Sequence, residues 1–212
     1  MKTIIFDLDG TLLNTISDLG HACNHALQTT GLPLHPLEDY RLMVGNGLRR
    51  LVERAAPQAD ANTIDSLVTL CRDYYNDHYA DTTKPYTGIP QLLERISNCG
   101  IKIAVASNKY QEAVDRIIRH YFPTIPFFAI EGQREGRSIK PDPAIILDII
   151  QNVNSDIEET VMVGDSTVDI ETARRAGIKS IAVTWGFCSE EILRNAHPDR
   201  IVYHPDEILS SL

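Results

Sequence analysis

Six short apolar runs constrain this chain more than any other feature of its sequence. They are Thr3–Phe6, Ile101–Ala106, Phe127–Ile130, Thr160–Val163, Ser180–Thr184 and Arg200–Tyr203. Most are nearly continuous rather than alternating, the pattern of strands covered on both faces in a parallel sheet. Gln91–Asn98, Gln111–His120, Pro143–Val153 and Val168–Ala176 carry helical patterns between them. Alternating strands and helices imply βαβ crossovers, and so an α/β fold with a doubly wound parallel sheet.

The first strand breaks this rhythm. From Ile16 to Lys84 no convincing strand is visible. Apolar residues there fall near helical spacing instead: Ile16, Leu19, Cys23 and Leu27; Leu48, Leu51, Val52 and Ala55; Ile64, Leu67, Val68 and Cys71. A small α-helical unit inserted after the first strand is therefore expected over 15–84, with the α/β core formed by 1–14 and 85–212. A chain of 212 residues suits one large α/β domain with a modest insertion.

Charge narrows the partners. Twenty Lys and Arg against 29 Asp and Glu leave a net charge of −9. No basic field offsets phosphate repulsion, so neither nucleic acid nor an anionic membrane is an expected partner. A small phosphorylated metabolite needs only local positive charge and stays open. Asp7 interrupts the N-terminal apolar run too early for a secretory signal or a membrane span. Cys23, Cys71, Cys99 and Cys188 match no zinc module and read as reduced, mostly buried thiols. The expected location is the cytoplasm. The seven histidines show no metal-ligand clustering, and a monomer and a homodimer both remain open.

In a doubly wound sheet, ligands bind beyond the carboxyl ends of the strands. Asp7-Leu8-Asp9-Gly10-Thr11 follows the first strand, Ser107-Asn108-Lys109 the Ile101 run and Gly164-Asp165-Ser166 the Thr160 run. Asp7, Asp9 and Asp165 on one rim repel each other unless a cation sits among them, and hard oxygen ligands suit Mg²⁺. Turn and capping chemistry explains any one of these aspartates alone. Ser107 and Asn108 read as opening a helix, whose N-terminus binds anions but which such residues also cap. Ser166-x-x-Asp169 reads as a capping box.

Asp7-Leu8-Asp9-Gly10-Thr11-Leu12 resembles the first signature of the haloacid dehalogenase-like hydrolase superfamily. Ser107 resembles the second, Lys140 in Lys-Pro-Asp-Pro the third, and Gly164-Asp165-Ser166-Thr167-Val168-Asp169 the fourth. The resemblance spans nearly the whole chain and implies a Rossmann-like core. It implies Asp7 as a nucleophile attacking phosphorus. Asp9 would be the acid that protonates the leaving oxygen and then the base that activates water. Mg²⁺ would be held by Asp7, the Asp9 backbone carbonyl and Asp165. Ser107, the Asn108 amide and Lys140 would grip phosphate, and Asp169 would support the lysine or the metal's water shell. Gly10 and Thr11 belong to the first signature as supporting residues.

Three reactions fit that resemblance: hydrolysis of a phosphomonoester, phosphosugar mutation, and phosphate binding without turnover. Asp9 argues against a dehalogenase, which has no leaving oxygen to protonate. Mutases of the β-phosphoglucomutase type carry a His where this chain has Leu19, with His21 close by. The insertion resembles the helical cap that selects substrates in the superfamily. Gly45-Asn46-Gly47-Leu48-Arg49-Arg50 resembles the cap pattern of phosphoglycolate phosphatases, as does Ser107-Asn108-Lys109. Gly45 and Gly47 would admit a substrate to backbone amides, and Arg49 or Arg50 would pair with its carboxylate; a helix N-terminus with solvated arginines explains the segment equally. Phosphoglycolate is the single best substrate expectation.

Overall fold

The computed structural model describes residues 2–212. Six parallel strands form one sheet: β1 (Thr3–Phe6), β4 (Lys102–Tyr110), β5 (Phe127–Gln133), β6 (Thr160–Gly164), β7 (Lys179–Val183) and β8 (Arg200–Val202). Their spatial order is β5-β4-β1-β6-β7-β8. A two-stranded antiparallel pair, β2 (Leu13–Asn14) with β3 (Lys84–Pro85), stands apart from it. The chain first builds outward from β1 through β4 to β5, then returns to lay β6, β7 and β8 on the other side. That reversal is the switch point where such sheets leave a crevice.

The apolar runs mark buried strands for a simple reason. Every residue of β1 and β6 is buried. Ile4, Phe6, Ile103, Val105, Val161 and Val163 face a cluster that includes Leu92, Leu93 and Ile96 of α4 (Ile89–Asn98) and Val114, Ile117 and Ile118 of α5 (Gln111–Tyr121). Ile5, Ala104, Ala106 and Met162 face the opposite cluster, with Ile145, Ile146 and Ile149 of α6 (Ala144–Asn152) and Ala173 and Ala176 of α7 (Thr167–Ala176). Side chains alternate across a strand, so two helical layers require both sets to be apolar. Short helices α8 (Glu190–Asn195) and α9 (Glu207–Ser210) complete the core.

Between β2 and β3 lie α1 (Ile16–Thr29), a 3₁₀ turn (Leu37–Leu42), α2 (Gly47–Ala55) and α3 (Ala61–His78). Ile16, Cys23, Leu27, Leu51, Val52, Ala55, Ile64, Leu67, Cys71 and Tyr75 pack into a separate apolar cluster, as the helical spacing predicts. Asp60 caps α3 by accepting from the Thr63 amide at 2.8 Å. Among the cysteines, Cys23 and Cys71 are buried, but Cys99 is exposed and Cys188 half-buried, so the expectation of mostly buried thiols holds for one pair. Among the described residues no helix is long and apolar enough to cross a membrane.

One buried charge fastens the helical unit to its second connection. Asp18, on the first turn of α1, is buried and accepts from the backbone amides and hydroxyls of Thr82 and Thr83. Burial raises its carboxyl, but these donors outweigh it and hold the group below its ordinary value. Its stabilising share is therefore present above the ordinary value and is lost as pH falls through the lower folded value. Asp18→Ala strands buried donors and is expected to cost about 3 kcal/mol. Chemical denaturation would measure this, and an unchanged midpoint would show that the clasp contributes nothing.

Candidate active site

The crevice at the carboxyl ends of β1, β4 and β6 gathers the residues of all four motifs. Asp7 directly follows β1, its amide still donating to the Val163 carbonyl at 2.9 Å. The chain then turns at Gly10, whose φ of +89° only glycine adopts readily and where a Cβ would lie 2.2 Å from Asp165 Oδ2. The same turn places Thr11 to donate to Asp165 Oδ1 at 3.3 Å.

Lys140 is the hub of the site. Its side chain is 2% exposed, with Nζ 2.8 Å from Asp7 and 2.7 Å from Asp169. Burial opposes its charge, but Asp169 and Asp7 outweigh burial and hold the ammonium above its ordinary range. Asn108 clamps the same residue by its backbone: Oδ1 accepts from the Lys140 amide at 2.8 Å, and Nδ2 donates to the Lys140 carbonyl at 3.0 Å and to the Gly45 carbonyl at 2.9 Å. Asp169 makes contacts that suit both readings of the sequence. Its carboxylate accepts from Lys140 and, with Ser166, completes the capping box of α7.

Burial pushes the Asp7 carboxyl up to about 7, with Lys140 pulling it back and Asp169 and Asp9 adding to the rise. Burial, then Asp7 and Asp169, raise Asp165 well above its ordinary value, against the Phe187 amide that donates to it at 2.7 Å. Oxygens of Asp7, Asp165 and Asp169 lie within 4.8 Å of one another, the one such cluster found among the described residues. Three buried carboxylates answered by one lysine leave the site short of positive charge. A hard divalent cation fits that donor set. The Asp9 carboxylate points elsewhere: Thr15 donates to it at 2.7 Å, and Lys109 Nζ lies 3.1 Å from both oxygens. Asp9 would therefore reach a metal only through its backbone carbonyl.

Two expectations are corrected. Ser107 and Asn108 do not open a helix. After a register shift β4 continues to Tyr110, which pairs with Gln133 of β5, and α5 begins only at Gln111. The buried Ser107 hydroxyl and Asn108 face the site from an extended strand. Arg49 and Arg50 do not reach the cavity. Arg49 pairs with Asp65 at 2.6 Å and Arg50 with Glu53 at 2.6 Å, and their side chains are 52% and 67% exposed. Neighbouring carboxylates on α2 and α3 capture both guanidinium groups at the surface. Gly45 and Gly47 do line the cavity, Gly47 with a φ of +81° and within 3.4 Å of the Asn108 carbonyl for any added Cβ.

The cavity over Asp7 and Asp9 is walled by Leu19, Val44, Leu48, Leu51, Tyr75 and Phe187. Sequence reasoning placed Trp185 after a strand end and within reach of the site, but did not single out Phe187. Trp185 donates from Nε1 to the Thr11 carbonyl at 3.0 Å, securing that loop against the first motif. The signal for Phe187 was its place two residues beyond Trp185, in the loop that follows β7.

Residues 4–183 match the family model described as haloacid dehalogenase-like hydrolase. The chain belongs to the haloacid dehalogenase-like hydrolase family. A phosphoglycolate phosphatase of Mesorhizobium japonicum is 35% identical over 213 residues, covering 99% of this chain and 93% of the relative. Another, from Aquifex aeolicus, is 30% identical and covers 99% and 95%. Among solved structures, a Lactobacillus delbrueckii subsp. bulgaricus protein proposed to be a phosphoglycolate phosphatase superposes with a TM-score of 0.93 at 29% identity, covering 100% of this chain and 98% of the other. A haloacid dehalogenase-like hydrolase of Streptococcus pneumoniae gives 0.89 at 25% identity, covering 100% and 98%. These likenesses run the length of the chain.

Proposed function

We propose that the chain is a Mg²⁺-dependent phosphomonoester hydrolase that forms a phosphoaspartate on Asp7, with phosphoglycolate as its substrate. The observation that carries the reading is the buried Asp7 carboxylate held 2.8 Å from Lys140 beside Asp165 and Asp169. The names of the relatives at 35% and 30% identity favour phosphoglycolate among small esters.

Asp7 is the nucleophile. Lys140 holds one of its oxygens and opposes the rise that burial imposes, which favours the ionised form. An Asp7 oxygen bonds to phosphorus as the ester P–O bond breaks, and Asp9 supplies the proton the leaving oxygen needs. A water then attacks phosphorus, Asp9 takes its proton, and the P–O bond to Asp7 breaks to release phosphate. Lys140 and the Ser107 hydroxyl stabilise charge on the phosphoryl oxygens. Asp7, Asp165 and the Asp9 carbonyl would hold Mg²⁺, which would supply the positive charge that lets two anions meet. The helical unit, residues 15–84, acts as the cap. It closes the site, excludes water and limits substrates to small ones.

Leu19 in the cavity wall favours hydrolysis over phosphosugar mutation, because it offers no proton-transferring group there. Phosphate release from a panel of small esters, with Mg²⁺ and with excess chelator, tests the reading. Chelator-sensitive release, greatest with phosphoglycolate, is expected. No release from any ester by folded protein would reject the hydrolase, and interconversion of phosphosugar isomers would replace it with a mutase.

A further inference from the structure

The phosphoryl side of the site has its own cation in Lys140, yet a second buried lysine stands on the far side of Asp9. Lys109 has a side chain only 3% exposed, and Nζ touches both Asp9 oxygens at 3.1 Å. Nζ also sits 4.4 Å from the centre of the Tyr75 ring, on α3 of the helical unit. Lys109 is the one cation lining the cavity among the described residues, within a wall that is otherwise largely apolar. Burying an ammonium there is costly, and a structural role alone is served more cheaply by an apolar side chain.

Tyr75 adds an independent observation. It is 1% exposed, it lines the same cavity, and its hydroxyl has no hydrogen-bond partner. A buried donor left unpaired is uncommon and costs free energy in the resting protein. Burial also pushes this hydroxyl well above its ordinary value, so it remains a donor across the working pH range.

We propose that Lys109 and Tyr75 form an anion subsite that binds the carboxylate of the substrate's leaving group. The subsite rests on the proposed hydrolysis of phosphoglycolate and names the residues that select it. The leaving oxygen must lie near Asp9, so the rest of the leaving group lies where Lys109 and the cavity wall meet. A carboxylate there competes with Asp9 for Lys109 and gives the Tyr75 hydroxyl its missing acceptor. Asp9, still held by Thr15, is then released from the lysine next to the leaving oxygen. Lys109 comes from β4 and Tyr75 from the helical unit, so the anion bridges the two parts of the molecule. The arginines of the Gly45–Arg50 segment, paired elsewhere, leave this role to Lys109.

The test compares phosphoglycolate with ethyl phosphate, an ester of similar size without the carboxylate, on wild type, Lys109→Met and Tyr75→Phe. The ratio of kcat/KM for the two esters is expected to fall about 10- to 100-fold in Lys109→Met and by a smaller factor in Tyr75→Phe, mainly through KM for phosphoglycolate. Tyr75→Phe is also expected to keep or raise the melting temperature, because the hydroxyl it removes bonds to nothing in the free protein. A wild-type preference for phosphoglycolate that survives both substitutions would overturn the subsite while leaving the substrate in place. Equal wild-type turnover of both esters would overturn the substrate and the subsite with it. Should Lys109→Met fail to fold, Tyr75→Phe decides alone, and an unchanged ratio overturns the proposal.

Discussion

Asp7→Asn is expected to lower phosphoglycolate turnover by at least about 10⁴-fold, the scale of losing a covalent nucleophile. The amide matches the carboxylate in shape but cannot displace an alkoxide from phosphorus. Lys140 keeps its 2.7 Å partner in Asp169, so the hub of the site survives the substitution. Stability should move the other way. In the metal-free protein, burial pushes Asp7 up to about 7, so folding takes up a proton between the ordinary value of 3.8 and that point. A raised carboxyl costs stability progressively as pH rises through that window, and the full cost applies above it. Asparagine carries no such cost. The melting temperature of Asp7→Asn relative to wild type, both in chelator, is expected to rise from about pH 4 to about pH 7. Near-normal turnover in the variant would remove Asp7 as the nucleophile. A melting difference that does not change with pH would show that the buried carboxyl is not strained by its surroundings.

The parts of this molecule that were legible in the sequence share a physical cause. Thr3–Phe6 and Thr160–Val163 read as strands because both faces are buried, and burial on both faces leaves no room for alternation. Ile64, Leu67 and Cys71 read as a helix because they share one buried stripe. Strand ends then located Asp7, Asp165 and Ser107 by topology. The misses have causes too. Polar Ser107, Asn108 and Lys109 resemble a helix start, yet β5 offers Gln133 to pair with Tyr110, and that long-range pairing carries the strand onward. Arg49 resembles a substrate ligand because Asp65, its partner on a different helix, is invisible at sixteen residues' distance. Lys109 stands out in the sequence only as part of Ser107-Asn108-Lys109, and Tyr75, thirty-four positions away, does not stand out at all. Their significance lies in burial and in an unpaired hydroxyl, which only three-dimensional packing creates.

Removal of Mg²⁺ with excess chelator is expected to reduce turnover by at least about 10³-fold, since several kcal/mol of charge stabilisation is lost. The same ion should stabilise the fold, and the size of that effect should depend on pH. Burial first, then repulsion from Asp7 and Asp169, raises the Asp165 carboxyl well above its ordinary value in the metal-free protein. A raised carboxyl is neutral at low pH, where the cluster tolerates the absence of an ion, and becomes charged as pH rises through its folded value. Protons and the cation therefore compete for the same oxygens. The rise in melting temperature on adding Mg²⁺ should be larger at about pH 8 than at about pH 5.5, where more of these oxygens carry protons. Asp165→Asn should diminish both the rise and the turnover, because an amide offers a weaker oxygen donor and no charge. A rise of equal size at both pH values would place the ion elsewhere than among these carboxylates. So would a rise undiminished in Asp165→Asn. Turnover indifferent to chelator would show instead that Lys140 alone supplies the positive charge the transferred phosphoryl group needs.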